Sequence, residues 1–127
     1  MVVPLISIID DDEDVQIALA DLMRSFGYSA SRHGSASAFL SSAELAQASC
    51  IVTDVSMPGL DGVGLKRALD AGGIPTPVIM ITAHFEPHVR ARALACRPFR
   101  LLTKPFPGSE LVEAVESALR RSRTARE

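Results

Sequence analysis

Short apolar runs alternate with longer amphipathic stretches along the chain. Three of the runs are nearly unbroken and rich in β-branched residues: Leu5–Ile9, Cys50–Thr53 and Val78–Ile81. Runs of this length are typical of strands that are buried on both faces of a parallel sheet. Tyr28–Ser31 and Leu101–Leu102 are weaker runs at the positions where two further strands are expected. The pattern therefore predicts five strands.

The stretches between the runs carry apolar residues at helical spacing. A first stripe ends before Gly27, a typical helix stop, and a last stripe follows Ser109, which is a favourable residue ahead of a helix. Three further helices are predicted over Ser37–Ala46, Gly64–Ala71 and Val89–Ala95. The two stripes consist of Val15, Leu19, Leu22, Met23 and Phe26, and of Leu111, Val112, Val115, Ala118 and Leu119. Five strands that alternate with five helices predict an α/β sandwich with a parallel sheet.

Length and composition favour one globular domain. The chain has 127 residues, of which 47% are hydrophobic, and no apolar run approaches the roughly 20 residues of a membrane helix. The first residues lack the basic flank of a secretory signal. Cys50 and Cys96 have no metal-site spacing and are predicted to be two buried thiols in a reducing compartment. These features predict a cytoplasmic protein without a membrane partner.

The two parts of the chain differ in charge although the net charge is only −2. Residues 1–83 carry four Lys or Arg and ten Asp or Glu residues, whereas residues 84–127 carry nine and five. This balance argues against nucleic-acid binding by the whole chain. It favours a cation site in the acidic part, and an interaction face or a solvated surface in the basic part.

Polar side chains stand at the ends of four predicted strands. Asp10 and Asp11 follow the first strand, Asp54 follows the third, Thr82 ends the fourth, and Lys104 follows the fifth. Ligands of parallel α/β sheets bind beyond the carboxyl ends of the strands. Taken singly, each residue has a structural explanation as a helix cap, a turn residue or a strand end. Their joint placement at one edge predicts a site.

Electrostatics narrows the chemistry of that edge. Three carboxylates within about 4–6 Å repel one another by a few kcal/mol per pair at an effective dielectric near 20. Lys104 and a divalent cation would together neutralise them, and a set of oxygen ligands with few protein donors fits Mg²⁺. A carboxylate beside such a cation, with a hydroxyl and an ammonium nearby, is equipped to accept a phosphoryl group. Asp12 is expected to cap the first helix instead.

Four motifs resemble the receiver domain of two-component response regulators, and most closely its nitrogen-fixation and nitrate-type members. They are the segments at residues 8–13 (Ile-Ile-Asp-Asp-Asp-Glu), 54–62 (Asp-Val-Ser-Met-Pro-Gly-Leu-Asp-Gly), 79–84 (Ile-Met-Ile-Thr-Ala-His) and 103–106 (Thr-Lys-Pro-Phe). The resemblance implies a flavodoxin-like (βα)5 doubly wound sandwich with strand order 2-1-3-4-5. It also implies a receiver over residues 1–121, with 122–127 as a polar tail or the start of a linker to an output domain.

The resemblance assigns a chemical role to the acidic residues. Asp54 would accept the phosphoryl group from a sensor histidine kinase or a histidine phosphotransfer protein. Asp11 would ligate Mg²⁺ directly, Asp10 directly or through water, and the backbone carbonyl of Ser56 would complete the protein ligands together with Asp54. The implied activity is that of a switch and not of an enzyme, limited to self-catalysed phosphotransfer and autodephosphorylation.

The remaining implied roles concern signal output. Lys104 would pair with the phosphoryl group, and Thr82 would bind a phosphoryl oxygen and report the modification. The region Val89–Leu101, within the fourth-helix, fifth-strand and fifth-helix face, would control an output domain or target protein, with transcription as the regulated process. A homodimer is compatible with this role, whereas no specific DNA binding is expected from this chain alone. Ser56 and His84 predict a phosphate lifetime at neither extreme.

Three positions depart from the family pattern before and within the fifth strand. Arg97-Pro98 replaces the usual Gly-Ala, so the turn is expected to adopt another shape. Leu101 replaces the usual switch aromatic, and Phe99, two residues earlier, is expected on the same sheet face at another depth. These departures leave a degenerate receiver that acts as an interaction module as one alternative. An aspartyl-phosphate phosphatase is a second, disfavoured because the chain has no room for a cap region.

The basic part of the chain has two open interpretations. Arg90, Arg92, Arg97 and Arg100 form either a solvated basic face or a docking surface for an acidic partner or the protein's own output domain.

Overall fold

Five parallel strands form one sheet in the computed structural model, which describes residues 3–83 and 86–126. The strands are β1 (Leu5–Ile9), β2 (Ser29–His33), β3 (Cys50–Asp54), β4 (Val78–Thr82) and β5 (Arg100–Thr103). Their order is β2-β1-β3-β4-β5, with parallel pairing throughout. The predicted flavodoxin-like topology is confirmed; β1 has the predicted bounds, and the ends of the other strands differ from the predicted ones by at most two residues.

Helices connect the strands and cover both faces of the sheet. Within the described residues they are α1 (Glu13–Ser25), α2 (Ala36–Leu40), α3 (Glu44–Gln47), α4 (Gly62–Ala71), α5 (Pro87–Ala95) and α6 (Gly108–Arg126). The prediction of a single helix over Ser37–Ala46 is wrong, because two short helices occupy that stretch. The Ser42 hydroxyl donates to the Phe39 carbonyl oxygen at 2.6 Å, which gives the backbone an alternative to continued helix.

Alternating residues of the central strands enter two separate apolar layers. Ile8, Val52 and Ile79 pack with α1 and α6, whereas neighbours such as Ile51 and Met80 pack with α2, α4 and α5. Strands β1, β3 and β4 are therefore buried on both faces, as their unbroken apolar sequences predict. This arrangement leaves the carboxyl edge of the sheet free for polar groups.

The apolar stripe of α1 differs in part from the prediction. Met23 is buried and shares its face with Gln16 and Ala20, but Phe26 is 55% exposed at the C-cap. Phe26 lies outside because the chain turns there through Gly27, which has a φ of 90°. The predicted stop at Gly27 is thus confirmed.

The last helix is longer than its apolar stripe. It begins at Gly108, so Ser109 lies in the first turn and not ahead of the helix, and residues 122–126 continue as helix. Four of the five stripe residues, Leu111, Val112, Val115 and Ala118, are buried as predicted, and Leu119 is half-buried. No described helix is both long and apolar enough to cross a membrane. Cys50 is a buried free thiol, whereas Cys96, predicted to be buried, is only half-buried.

The turn before β5 contains a residue in the left-handed conformation, although that residue is an arginine and not a glycine. Arg97 has a φ of 55°, and its N–H donates to the Leu94 carbonyl oxygen at 3.0 Å. The expectation of another turn shape at Arg97-Pro98 is therefore wrong. The hydrogen-bonded end of α5 imposes the left-handed conformation on a residue type that rarely adopts it.

Phe99 and Leu101 lie on opposite sides of the sheet, contrary to prediction. Phe99 packs with the α1–α6 layer, and Leu101 packs with the layer that contains Met80 and Ala93. The alternation rule fails for Phe99 because β5 begins only at Arg100, so Phe99 still belongs to the turn. Phe99 therefore does not occupy the sheet face on which Leu101 stands.

Replacing Arg97 with glycine is expected to raise the free energy of unfolding by about 0.5–1 kcal/mol. Glycine adopts positive φ without a Cβ penalty, and this gain exceeds the extra entropy of the unfolded glycine. Urea denaturation would show a higher midpoint with an unchanged slope. Arg97→Ala is the matched control, because it removes the same guanidinium but keeps a Cβ. An equal or lower midpoint for Arg97→Gly than for Arg97→Ala would contradict the role of backbone strain.

Candidate functional site

Three carboxylates meet at the carboxyl edge of the sheet. Oxygen atoms of Asp10, Asp11 and Asp54 all lie within 4.8 Å of one another. The neighbouring strands β1 and β3 bring them together, since Ile9 is paired with Thr53 immediately before them. Asp10 is only 4% exposed, Asp54 is half-buried and Asp11 is exposed. The three acidic residues predicted for a metal site thus form one cluster.

Asp10 is held by three hydrogen bonds, two to its backbone and one to its side chain. Its N–H donates to the His33 carbonyl oxygen at 3.1 Å, and its Oδ1 accepts from the Asp12 N–H at 2.9 Å. Its carbonyl oxygen accepts from Gln16 Nε2 at 2.6 Å. Gln16 is not among the predicted site residues, although its position four residues before Ala20 and seven before Met23 places it on the buried face of α1.

Asp12 has the helix-capping role predicted for it. Its Oδ1 accepts from the N–H groups of Asp14 at 2.9 Å and Val15 at 3.4 Å. These bonds satisfy two of the N–H groups that α1 leaves without helical partners. The acidic run thus divides into a cap at Asp12 and site residues at Asp10 and Asp11.

Asp54 is oriented by a backbone donor and an ammonium group. Its Oδ1 accepts from the Ser56 N–H at 3.1 Å, and its Oδ2 lies 3.8 Å from Lys104 Nζ. Lys104 follows β5, its N–H donates to the Thr82 carbonyl oxygen at 2.8 Å, and its peptide bond to Pro105 is cis. Thr82 is fully buried at the end of β4, on the same edge. His84 lies outside the described residues.

The electrostatic balance of the cluster is unfavourable without a further cation. Burial raises the pKa of the Asp10 carboxyl group, and the charges of Asp54 and Asp11 raise it further. The Asp12 N–H and the Lys104 ammonium act in the opposite direction but do not cancel the rise. Three carboxylates therefore face one ammonium group. The donor set contains oxygen atoms only and is open to water at Asp11, which fits the preference of Mg²⁺ for oxygen ligands and retained waters.

The loop after Asp54 is fixed to the sheet and to α5. Gly62 N–H donates to the Val55 carbonyl oxygen at 2.9 Å, and Asp61 Oδ1 caps α4 by accepting from Gly64 N–H at 2.8 Å. Asp61 Oδ2 lies 2.9 Å from the Arg92 guanidinium. Burial raises the pKa of Asp61, but the hydrogen bonds from Gly64 and Arg92 outweigh it and lower the pKa overall.

The predicted basic face is anchored in part by contacts within the domain. Besides Arg92, Arg90 donates to Thr103 Oγ1 at 3.2 Å, and Arg100 lies 4.0 Å from Glu113. Three of the four arginines singled out in this region thus have intradomain partners. These contacts orient the exposed arginines, and both interpretations of the basic face stay predictions.

The profile of the response regulator receiver domain matches residues 6–116. The chain belongs to the response regulator receiver family. Transcriptional regulatory protein FixJ of Azorhizobium caulinodans is 38% identical over 92% of this chain, and response regulator protein TodT of Pseudomonas putida is 35% identical over 91%. The aligned parts cover 56% and 51% of those two proteins, so the chain spans about half the length of the curated relatives it matches.

Solved structures of the family agree in fold. The crystal structure of FixJ-N has a TM-score of 0.84 at 33% identity and covers 94% of this chain and 96% of that chain. The response regulator StyR has a TM-score of 0.88 at 33% identity and covers 98% of this chain and 63% of that chain. The family match and these structures confirm the predicted family and fold class. Receiver domains of response regulators are signalling switches.

Proposed function

We propose that the chain is a phosphorylation-dependent switch in which Asp54 accepts a phosphoryl group. The observation that carries the proposal is the position of the Asp54 carboxylate, within 4.8 Å of the Asp10 and Asp11 oxygens and 3.8 Å from Lys104 Nζ. A carboxylate can attack a phosphorus atom when neighbouring cations offset the negative charge of both partners. The cluster has one such cation, Lys104, and an oxygen donor set for a second.

The residues that would hold Mg²⁺ are Asp10, Asp11, Asp54 and the backbone carbonyl of Ser56. A bound Mg²⁺ would neutralise charge and orient phosphoryl oxygens. The Ser56 N–H fixes Asp54 Oδ1, which leaves Oδ2 on the Lys104 side. The burial of Asp10 and the exposure of Asp11 favour a site with protein ligands on the inner side and water on the outer side.

Lys104 and Thr82 would stabilise the phosphorylated state. The Lys104 ammonium is close enough to Asp54 to pair with an added phosphoryl group, and its N–H is bonded to the Thr82 carbonyl oxygen. Thr82 would bind a phosphoryl oxygen through its hydroxyl. Transfer and loss of the group would be self-catalysed, because positioning and charge neutralisation supply most of the rate in phosphoryl transfer. The polar side chain of Ser56 supports a phosphate lifetime at neither extreme.

The output would be transmitted through the surface formed by α5, β5 and α6. Arg90 and Arg92 connect α5 to both flanks of the acidic site, through Thr103 and Asp61. Thr103 precedes Lys104 and Asp61 lies in the loop after Asp54, so a change at the site would reach α5 through one of these intervening residues. Leu101, paired with Met80 on β4, would take the place of a switch aromatic. On β4, Thr82 lies two residues after Met80, the strand partner of Leu101.

The partners implied by this function are a phosphoryl donor and an output module. A sensor histidine kinase or a histidine phosphotransfer protein would supply the phosphoryl group. An output domain or target protein would bind the region Val89–Leu101, and transcription is the regulated process that the name of the FixJ relative supports. A homodimer through the same surface is compatible with this arrangement. The proposal places the chain in the cytoplasm, without specific DNA binding of its own.

A titration with beryllofluoride, an analogue of the phosphoryl group, tests the proposal. With Mg²⁺ present, we expect amide NMR shifts at Asp54 and Lys104 that spread to Thr82, Leu101 and α5. Without Mg²⁺, and in Asp54→Asn, these shifts should be absent. Shifts confined to the pocket would contradict coupling through Leu101, and the absence of any Mg²⁺-dependent shift would favour the interaction module.

A further inference from the structure

A cavity lies at the amino edge of the sheet, opposite to the edge that carries the acidic site. It has a volume of about 410 Å³ and opens beneath the amino ends of β4 and β5, between the last turn of α4 and the second half of α6. Cavities of this size accommodate small organic ligands. Asp54 and Lys104 are at the other ends of the strands, so this cavity is separate from the acidic site.

One wall of the cavity is apolar and conformationally restricted. Pro75, Pro77 and Pro98 contribute to it together with Ile74 and the half-buried ring of Phe99. Proline rings have no χ rotamers to lose on binding, and their backbone φ is fixed. A ligand that packs on this wall would therefore order few protein groups.

The cavity is lined by more positively than negatively charged side chains. Lys66 is engaged by both carboxylate oxygens of Asp70, at 2.6 and 2.8 Å, and this pair is neutral. Arg97 and Arg121 also line the cavity. Among the residues that the structure describes, no carboxylate lies within 4.0 Å of either guanidinium group. Within the described part of the chain, two positive charges of the cavity are therefore without an anionic partner.

Arg121 contacts the apolar wall, and Arg97 lines the cavity at the start of the segment that contributes Pro98 and Phe99. Arg121 lies 5.8 Å from the centre of the Phe99 ring, within the range of a cation–π contact. Arg97 stands in the left-handed region, where a side chain is rare, and Pro98 follows it directly. The end of α5 and Pro98 thus restrict the backbone from which the Arg97 side chain extends.

We propose that this cavity binds a small organic carboxylate with a compact apolar body. The guanidinium groups of Arg97 and Arg121 would accept the carboxylate through charge-assisted hydrogen bonds. The proline wall and Phe99 would cover the apolar body. An inorganic anion lacks the part that packs on the wall, and a neutral analogue leaves the two arginines unpaired. The site does not depend on phosphorylation of Asp54.

Benzoate is the probe that tests the proposal, followed by amide NMR on the full chain. We expect saturable shifts confined to residues 74–78, 97–99 and 118–122, with a Kd of about 1–10 mM for a ligand of this size. Benzamide lacks the charge, acetate lacks the ring, and inorganic phosphate lacks an apolar body. Each of the three should give a Kd at least about fivefold higher than benzoate.

Three variants separate the guanidinium groups from general effects. Arg97→Gly and Arg121→Ala should each raise the Kd for benzoate at least about fivefold, whereas Arg67→Ala, an exposed arginine on α4 outside the cavity, should not change it. Arg97→Gly removes the guanidinium while relieving backbone strain, so loss of binding would not reflect misfolding.

Several results would overturn the proposal. Equal affinity for benzoate and benzamide would remove the role of charge, and equal affinity for benzoate and phosphate would remove the role of the apolar wall. Shifts produced by a short oligo-glutamate peptide at lower concentrations than benzoate would indicate a protein-docking surface instead. Absence of saturable shifts with benzoate would exclude the site. The benzoate experiments test the cavity independently of the proposed function. Their expected results would be the same if Asp54 did not respond to beryllofluoride.

Discussion

Replacement of Gly62 by alanine is expected to lower the free energy of unfolding by about 3 kcal/mol. An added Cβ would lie 2.5 Å from the Asp54 carbonyl oxygen and 3.0 Å from Val55 Cα. Both are backbone atoms at the end of a buried strand, so they cannot move aside as the end of a side chain can. The Gly62 N–H also donates to the Val55 carbonyl oxygen, which holds the two segments together.

Gly64→Ala in the same helix is the matched control for Gly62→Ala. Its Cβ would meet the end of the Leu60 side chain, which can change rotamer, and alanine favours helix over glycine by about 1 kcal/mol. Urea denaturation should therefore give a much smaller loss for Gly64→Ala. Equal losses for both variants would contradict the importance of the close approach between Gly62 and Asp54. Beryllofluoride binding should weaken only in Gly62→Ala, because the displaced backbone carries the acceptor.

Replacement of Asp11 by alanine is expected to weaken Mg²⁺ binding by about 30- to 100-fold. Asp11 provides one of three carboxylates that meet within 4.8 Å, so its removal takes one anionic ligand from the cluster. Because Asp11 is exposed, water screens part of its attraction for a divalent cation, which limits the loss to this range. In the absence of Mg²⁺, the same change should leave stability unchanged or increase it, because it removes a repulsive carboxylate. NMR titration with Mg²⁺ measures the affinity directly.

Asp12→Ala is the matched control for Asp11→Ala, since the two residues are adjacent and both exposed. Asp12 caps α1 through the Asp14 and Val15 N–H groups. Its loss should lower the free energy of unfolding by about 1 kcal/mol and leave the Mg²⁺ affinity within about twofold of the parent chain. A similar loss of Mg²⁺ affinity in both variants would contradict the division of the acidic run into a cap and a site.

The strand–helix order and the placement of the acidic residues follow directly from the sequence. Unbroken β-branched runs such as Val78–Ile81 leave few alternatives to a buried parallel strand, and such strands align their carboxyl ends at one edge. Asp10, Asp11 and Asp54 therefore meet because of topology. Local pattern is sufficient for this part of the structure.

Other features depend on interactions that the apolar pattern does not reveal. Arg97 adopts a left-handed conformation because α5 ends there, although the residue itself disfavours it. The Ser42 hydroxyl donates to the Phe39 carbonyl oxygen and interrupts a stretch whose apolar pattern predicts one helix. Phe99 packs with the α1–α6 layer because β5 has not yet begun. The place of Gln16 on the buried face of α1 does not by itself predict its hydrogen bond to the Asp10 carbonyl oxygen. In each case, a hydrogen bond or a chain boundary outweighs the preference that the apolar pattern expresses.

Mg²⁺-dependent acceptance of a phosphoryl group by Asp54 can be tested by incubation with a small acyl phosphate, followed by intact mass measurement and peptide mapping. We expect one added phosphoryl group, located on Asp54, that requires Mg²⁺ and is absent in Asp54→Asn. An adduct on another residue, or one that persists in Asp54→Asn or without Mg²⁺, would contradict it.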